Sequence, residues 1–302
     1  MLTIENAAQL KELGQVRHGW ITQVAWSPDG KVLAVACGQG VAMYVNGFGG
    51  APTYTLPHPA PAKSVAFHPK KPLIATGCKD SLVRLWTTPD KAIKLRGHTD
   101  SVNSVAFHPS DDVLASGGSD RELILWRTDP PYEETTSFLK HTDEISSLAI
   151  SKNYGFATGS WDKTIYLSLN DVVFPHDDWV REICFSPRTE ILASASKDGH
   201  VRLWQLKTSG EPAHQAVIAA HGGGADSIAF YPDETLLATG GRDNLIRLWD
   251  VQKVLGAGKA EMQDAIATLQ GHNKPVLSLA FNPAGTMLVS GSGDNTVRLW
   301  GL

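Results

Sequence analysis

Positive charge is not in excess in this sequence, long apolar runs are missing, and cysteine is scarce. The 302 residues carry 27 Lys and Arg against 31 Asp and Glu, a formal net charge of −4, with no basic run. Such a chain is not built as a whole to neutralise nucleic-acid phosphates or an anionic membrane surface, so neither is expected as a partner. No apolar stretch approaches the ~18 residues that a membrane-spanning helix needs. The start, MLTIENAAQLKELG, has neither a basic segment nor an apolar core and does not read as a secretory signal. Three scattered cysteines, Cys37, Cys78 and Cys184, make no disulfide framework and show no metal spacing. They read as free thiols in a reducing, cytoplasmic compartment. Nucleophile-elbow, P-loop and zinc-protease motifs are also missing. The Gly222–Gly224 run opens no helical pattern and reads as a loop rather than a phosphate cradle.

What is present is a repeat. HTDSVNSVAFHPSDDVLASGGSDRELILW (98–126), HDDWVREICFSPRTEILASASKDGHVRLW (176–204) and HNKPVLSLAFNPAGTMLVSGSGDNTVRLW (272–300) share one plan. Seven copies start at His18, His58, His98, His141, His176, His221 and His272. An Asp follows the His by 22 residues in five copies and by 21 in the fourth, and a Trp follows the Asp by six in those five. A Ser or Thr stands four residues before the Asp: Thr76, Ser116, Thr158, Ser194, Thr239 and Ser290. Alternation such as VRLW predicts strands with bulk on both faces, and Asp-Gly (198–199) and Asp-Asn (243–244, 294–295) predict turns between them. A small sheet apolar on both sides cannot bury itself alone, so the units must stack in a ring.

The pattern resembles the WD40 family, through GH at 97–98 and 271–272, LWD at 248–250 and the fixed Ser/Thr-Asp-Trp offsets. The resemblance implies an all-β, seven-bladed β-propeller of four-stranded antiparallel blades, as a monomer without cofactor, metal or catalytic residues. Repeats are expected at about 18–57, 58–97, 98–140, 141–175, 176–220, 221–271 and 272–302. It also implies hydrogen-bonded chains His58–Thr76–Asp80–Trp86, His98–Ser116–Asp120–Trp126, His176–Ser194–Asp198–Trp204, His221–Thr239–Asp243–Trp249 and His272–Ser290–Asp294–Trp300. Copy one closes on Tyr44 without an Asp, and copy four has Ser168 in place of Trp. Those two chains are expected to be broken and their blades less rigid.

The last copy ends on its third strand, while LKELGQVRH (10–18) reads like the fourth-strand segments AIKLRGH (92–98) and AIATLQGH (265–272). Residues 10–17 are therefore expected to close the ring as the outer strand of the last blade. Length variation falls between the third and fourth strands, the longest insertion being VQKVLGAGKAEMQDA (251–265). The face carrying the His and Asp turns keeps a constant length.

Removing the residues that the repeat demands leaves Trp20, Trp161 and Trp179 on that constant face. The resemblance implies that such positions surround the central channel at the top of the ring. Equivalent positions carry Lys63, Lys79, Glu144, Arg181, Lys197, Asp226 and Arg242. Exposed Trp beside Arg is the composition of a binding hot spot. The expected site is Trp20, Lys63, Trp161, Trp179, Arg181, Lys197 and Arg242, taking a partner peptide or loop with an apolar or aromatic anchor and acidic flanks. The expected function is a non-catalytic interaction scaffold; the alternative is a regulatory or sensor propeller acting beside a separate kinase or effector module. An enzyme would need clustered carboxylates or metal ligands in the channel.

Overall fold

A computed structural model describes residues 1–110, 112–188 and 190–302. Seven sheets form the ring. From the channel outward, blade 1 holds Ile21–Trp26, Val32–Cys37, Gly40–Val45 and Tyr54–Pro57. Blades 2 to 6 repeat the same meander, beginning at Ala62, Val102, Ile145, Val180 and Ala225. Blade 7 takes Val276–Phe281, Met287–Ser292 and Thr296–Gly301 from one end of the chain and Lys11–Arg17 from the other. Lys11 lies opposite Gly301 and Arg17 opposite Thr296, so the N-terminal strand closes the ring.

The blades stack because both faces are apolar. Val83 and Leu85 of blade 2 and Val201 and Leu203 of blade 5 are fully buried, each such side chain contributing roughly 1.5–3 kcal/mol relative to exposure. The residue after the repeat Asp adopts a positive φ in each hairpin that has one: Ser81, Arg121, Lys163, Gly199, Asn244 and Asn295. Only Gly199 does so without a steric cost.

Blade 5 departs from four strands. The 251–265 insertion forms a helix, Val251–Ala257, capped by the Asp250 carboxylate accepting from the Lys253 N–H. It continues into Lys259–Ala260, a fifth strand parallel to Val217–Ile218. Cys37 and Cys78 are buried free thiols, and Cys184 is a part-buried one. No helix among the described residues is long and apolar enough to cross a membrane.

Candidate binding face at the channel mouth

The inner strand of every blade carries one register shift near its start, for example between Ile21 and Gln23, Val180 and Glu182, and Ala225 and Ser227. A bulge inserts one extra residue and re-aims its side chain. The inserted residues are Thr22, Lys63, Asn103, Ser146, Arg181, Asp226 and Leu277, and all seven line the channel mouth. Three of them tie blade to blade: Thr22 donates to the Ala62 carbonyl, Asn103 to Ile145 and Ser146 to Val180.

The next residue inward forms the waist. Ser278 accepts the Val24 N–H, Gln23 that of Val65, Ser104 that of Leu148 and Ser147 that of Ile183. In blade 5 this place is Glu182, whose carboxyl oxygen accepts the Ile228 N–H at 2.7 Å. Burial, reinforced by the charge of Asp226, pushes the Glu182 carboxyl up to about 8.

Trp20, Lys63, Trp161, Arg181 and Arg242 line a single cavity of about 510 Å³ at this mouth. Trp179 and Lys197 stand beside it. Trp161 and Trp179 stack with centroids 4.4 Å apart and planes 6° from parallel. The Lys197 ammonium sits 3.9 Å from the Trp179 centroid, too far to one side to lie between the rings, so it covers the other Trp179 face. Arg181 lies 5.6 Å from one centroid and 5.2 Å from the other, along the edge of the pair. Trp179 is thus the middle of a Lys–Trp–Trp stack, and Trp161 at its end lines the cavity. Trp20, 57% exposed, stands on blade 1 at the same mouth.

The positive charge is more balanced than the sequence suggested. Buried Asp226 takes Arg242 at 3.3 Å and Arg181 at 3.6 Å, and Asp178 takes Lys197 at 3.6 Å. Asp226 is a bulge residue, and its place between two arginines from neighbouring blades could not be read from spacing. The mouth-lining cations without an ion pair among the described residues are Lys63 and Lys79, both on blade 2.

The polar chains beneath the top face differ from expectation in three blades, 2, 5 and 4. In blade 3 the Trp126 indole donates to Ser116 at 2.7 Å, Ser116 meets His98 Nε2 at 2.7 Å, and His98 Nδ1 reaches Asp120 at 2.8 Å. Blades 6 and 7 repeat this through His221, Thr239, Asp243 and Trp249 and through His272, Ser290, Asp294 and Trp300. In blades 2 and 5 the His–Asp link is absent. His58 Nδ1 donates instead to the Leu56 carbonyl and His176 Nδ1 to that of Phe174, while Asp80 pairs with Arg84 and Asp198 with Arg202. The rest of the blade 2 set keeps its contacts, His58 meeting Thr76 and Trp86 donating to Thr76; in blade 5 His176 meets Ser194 and packs edge-on against Trp204, but the indole bond to Ser194 seen in the other Trp-closed blades is not among the contacts of the described residues.

The cause is local. Pro57 and Pro175 extend the preceding outer strand to the residue before the His, so the ring faces its own strand. An Arg four residues after the Asp then takes the carboxylate. Blade 6 has such an Arg without the Pro, and Asp243 accepts from both His221 and Arg247. In blade 7 the corresponding Arg298 turns outward to Glu12 of the closing strand.

Copy four, expected to be broken, keeps most of its chain. His141 reaches Thr158 at 2.8 Å and Asp162 at 2.8 Å, and Asp162 also accepts from the Thr164 hydroxyl and the Thr142 and Thr164 N–H groups. Ser168 fills the Trp place by accepting the Phe156 N–H. In copy one the Tyr44 hydroxyl bonds directly to His18 at 2.7 Å, spanning the missing Ser or Thr.

A family model described as WD domain, G-beta repeat matches residues 10–43, 50–87, 90–127, 132–167, 170–205, 213–250 and 263–301. The chain belongs to the WD40 family. Each WD40 match begins on the outer strand of the preceding blade, one strand earlier than a count from the histidines. Among curated proteins, this WD40 chain is 30% identical over 257 residues to nuclear distribution protein nudF 2 of Penicillium rubens, across 79% of this chain and 55% of that one. It is 27% identical to nuclear distribution protein PAC1 of Ajellomyces capsulatus, across 83% and 60%. The PAC1 of Arthroderma otae is 28% identical, across 79% and 58%. The chain thus spans about 55–60% of the length of these relatives. Among the described residues, no group of three or more His, Cys, Asp or Glu is placed to hold a metal ion.

Proposed function

We propose that this WD40 ring is a non-catalytic scaffold that binds a peptide or loop of a protein partner on the face around the channel mouth. The Lys197–Trp179–Trp161 stack carries the reading. It is preorganised, and the repeat requires neither Trp. It stands beside an open cavity whose other aromatic is Trp20. Trp161, at the end of the stack and lining the cavity, suits an apolar or aromatic anchor. Lys63 and Lys79 suit an acidic flank, because Arg181, Lys197 and Arg242 are already engaged by Asp178 and Asp226. The relatives are named for nuclear distribution and extend well beyond the matched length, which supports a second reading: a propeller that positions or regulates another module.

The test is to capture a partner from lysate and titrate it against variants. Trp161→Ala should weaken binding about thirtyfold, some 2 kcal/mol. Lys63→Ala should weaken it severalfold, and less so as salt rises. Lys253→Ala, on the exposed helix of the opposite face, should leave it intact. Loss with Lys253→Ala and none with Trp161→Ala would place the partner elsewhere.

A further inference from the structure

On the face opposite the channel mouth, successive blades meet in grooves walled by one blade's outer strand and floored, except at blade 4, by the next blade's closing aromatic. The chain itself covers several of these grooves. Between blades 6 and 7, Leu2, Ala7 and Leu10 pack on Leu236, Leu269, Leu288 and Trp300. Leu2 also donates its N–H to the Gly285 carbonyl. Between blades 5 and 6, Val251, Val254 and Leu255 pack on Ile218, Phe230 and Trp249. Phe48 lies against the 7/1 cluster and Tyr132 against the 2/3 cluster.

Between blades 1 and 2 none of the described residues covers the groove. The connection after the closing Trp86 is the tight turn Pro89–Asp90, with Thr88 opposite Lys91, too short to fold back. A cleft of about 520 Å³ remains, lined by Tyr54, Leu56, Phe67, Ile74 and Trp86. Burial records the difference. The residue opposite the closing position is at most 1% exposed in five blades: Leu33, Leu114, Leu192, Leu237 and Leu288. Ile74 is only part-buried, and so is Phe156 of blade 4, where Ser168 replaces the aromatic. Val32 is likewise part-buried, where its blade 6 counterpart Leu236 is fully buried.

We propose that the groove between blades 1 and 2 is a second docking site, distinct from the channel mouth. Its occupant is a short partner segment with aliphatic anchors spaced like Leu2 and Leu10 and a carboxylate near the first. The spacing comes from the chain's own occupant of the 6/7 groove. The carboxylate follows from a charge difference at the rim. The blade 7 turn is Ala284–Gly285, whereas the blade 2 turn is Lys70–Lys71; the facing acid is common to both grooves, Asp233 in one and Asp29 in the other. Lys71 is held by Asp112 and Asp129, which leaves exposed Lys70 without an ion pair among the described residues.

The experiment uses the full chain and a synthetic peptide of residues 1–10, MLTIENAAQL, labelled at its C-terminus and followed by fluorescence anisotropy. The native 6/7 groove is already filled in cis, so the peptide added in trans reports the open one. Saturable binding below about 1 mM is expected. Tyr54→Glu, at a part-buried position on the cleft wall, should reduce it at least tenfold by placing a charge on the apolar surface that takes the anchor. Lys70→Glu, at an exposed site that cannot unfold the blade, should reduce it about threefold. Trp161→Ala should leave it unchanged, which separates this site from the channel mouth. No saturation up to that concentration, or binding undiminished in both groove variants, overturns the proposal.

Discussion

Blades 4 and 5 are neighbours that answer the same structural needs with different chemistry. Blade 4 anchors its His to Asp162, closes with a serine and stitches to the next blade through the Ser147 hydroxyl. Blade 5 ties its His to a backbone carbonyl, gives Asp198 to Arg202, closes with Trp204 and stitches through a carboxyl group. The blade with the fuller repeat signature has the less continuous polar chain. A signature residue therefore guarantees a place in the fold and not a partner; the residue beside it selects the partner.

The contrast at the stitch has the largest consequence. Glu182 holds its proton to about pH 8 in the folded ring, against 4.5 for the unperturbed group. Between those values the folded chain binds one more proton than the unfolded one, so stability falls as pH rises through that window and levels off above it. Glu182→Gln keeps the acceptor, as Gln23 does in blade 1, and removes the titration. Urea unfolding at pH 5 and pH 9 should show a loss larger in the parent than in Glu182→Gln by about 4 kcal/mol. Asp226 is also raised, chiefly by burial, so a smaller slope should persist in the variant. Identical slopes would show that Glu182 ionises freely in the folded ring.

Next comes the repeat aspartate. Asp162→Ala strips partners from buried His141 and from two backbone N–H groups, and should cost roughly 2–3 kcal/mol. Asp198→Ala should cost about 1 kcal/mol, because His176 does not use it and Arg202 keeps Asp177 at 2.8 Å. Denaturation midpoints of the two variants decide this; a costlier Asp198 change would show that the Arg pair matters more than the His link.

The smallest effect sharpens the rule for the arginine. In blade 7, Glu12 draws Arg298 away from Asp294. Glu12→Ala should cost about 1 kcal/mol or less, the pair being part-buried at the rim of the ring with side chains 14% and 30% exposed. It should also let Arg298 turn towards Asp294, seen as a shift in the His272 imidazole resonances by NMR. Unchanged resonances would mean that the arginine does not compete for the carboxylate.

The ring, its seven blades and its closing strand could be read from the repeat because spacing and alternation repeat with the backbone. The juxtaposition of Trp161 and Trp179 followed from the same register. Three things did not. The turn of His58 and His176 depends on Pro57 and Pro175, a single-residue signal visible once its effect on strand length is known. The neutralisation of Arg181 by Asp226 joins bulge residues of neighbouring blades, which no offset within a copy encodes. The cover of the outer grooves is set by connections whose sequences do not repeat at all.

The closing strand also fixes how the ring would give way under load. Lys11 and Gly301 face each other at one end of the antiparallel seam, and Arg17 and Thr296 at the other. Tension applied through anything attached before residue 11 and after residue 301 pulls on the same end of both strands. It first peels Leu2, Ala7 and Leu10 from their groove, then opens the seam one hydrogen bond at a time, like a zip, instead of shearing all of them together. The seam is therefore the mechanical fuse of the ring, and blade 7 is where it would part.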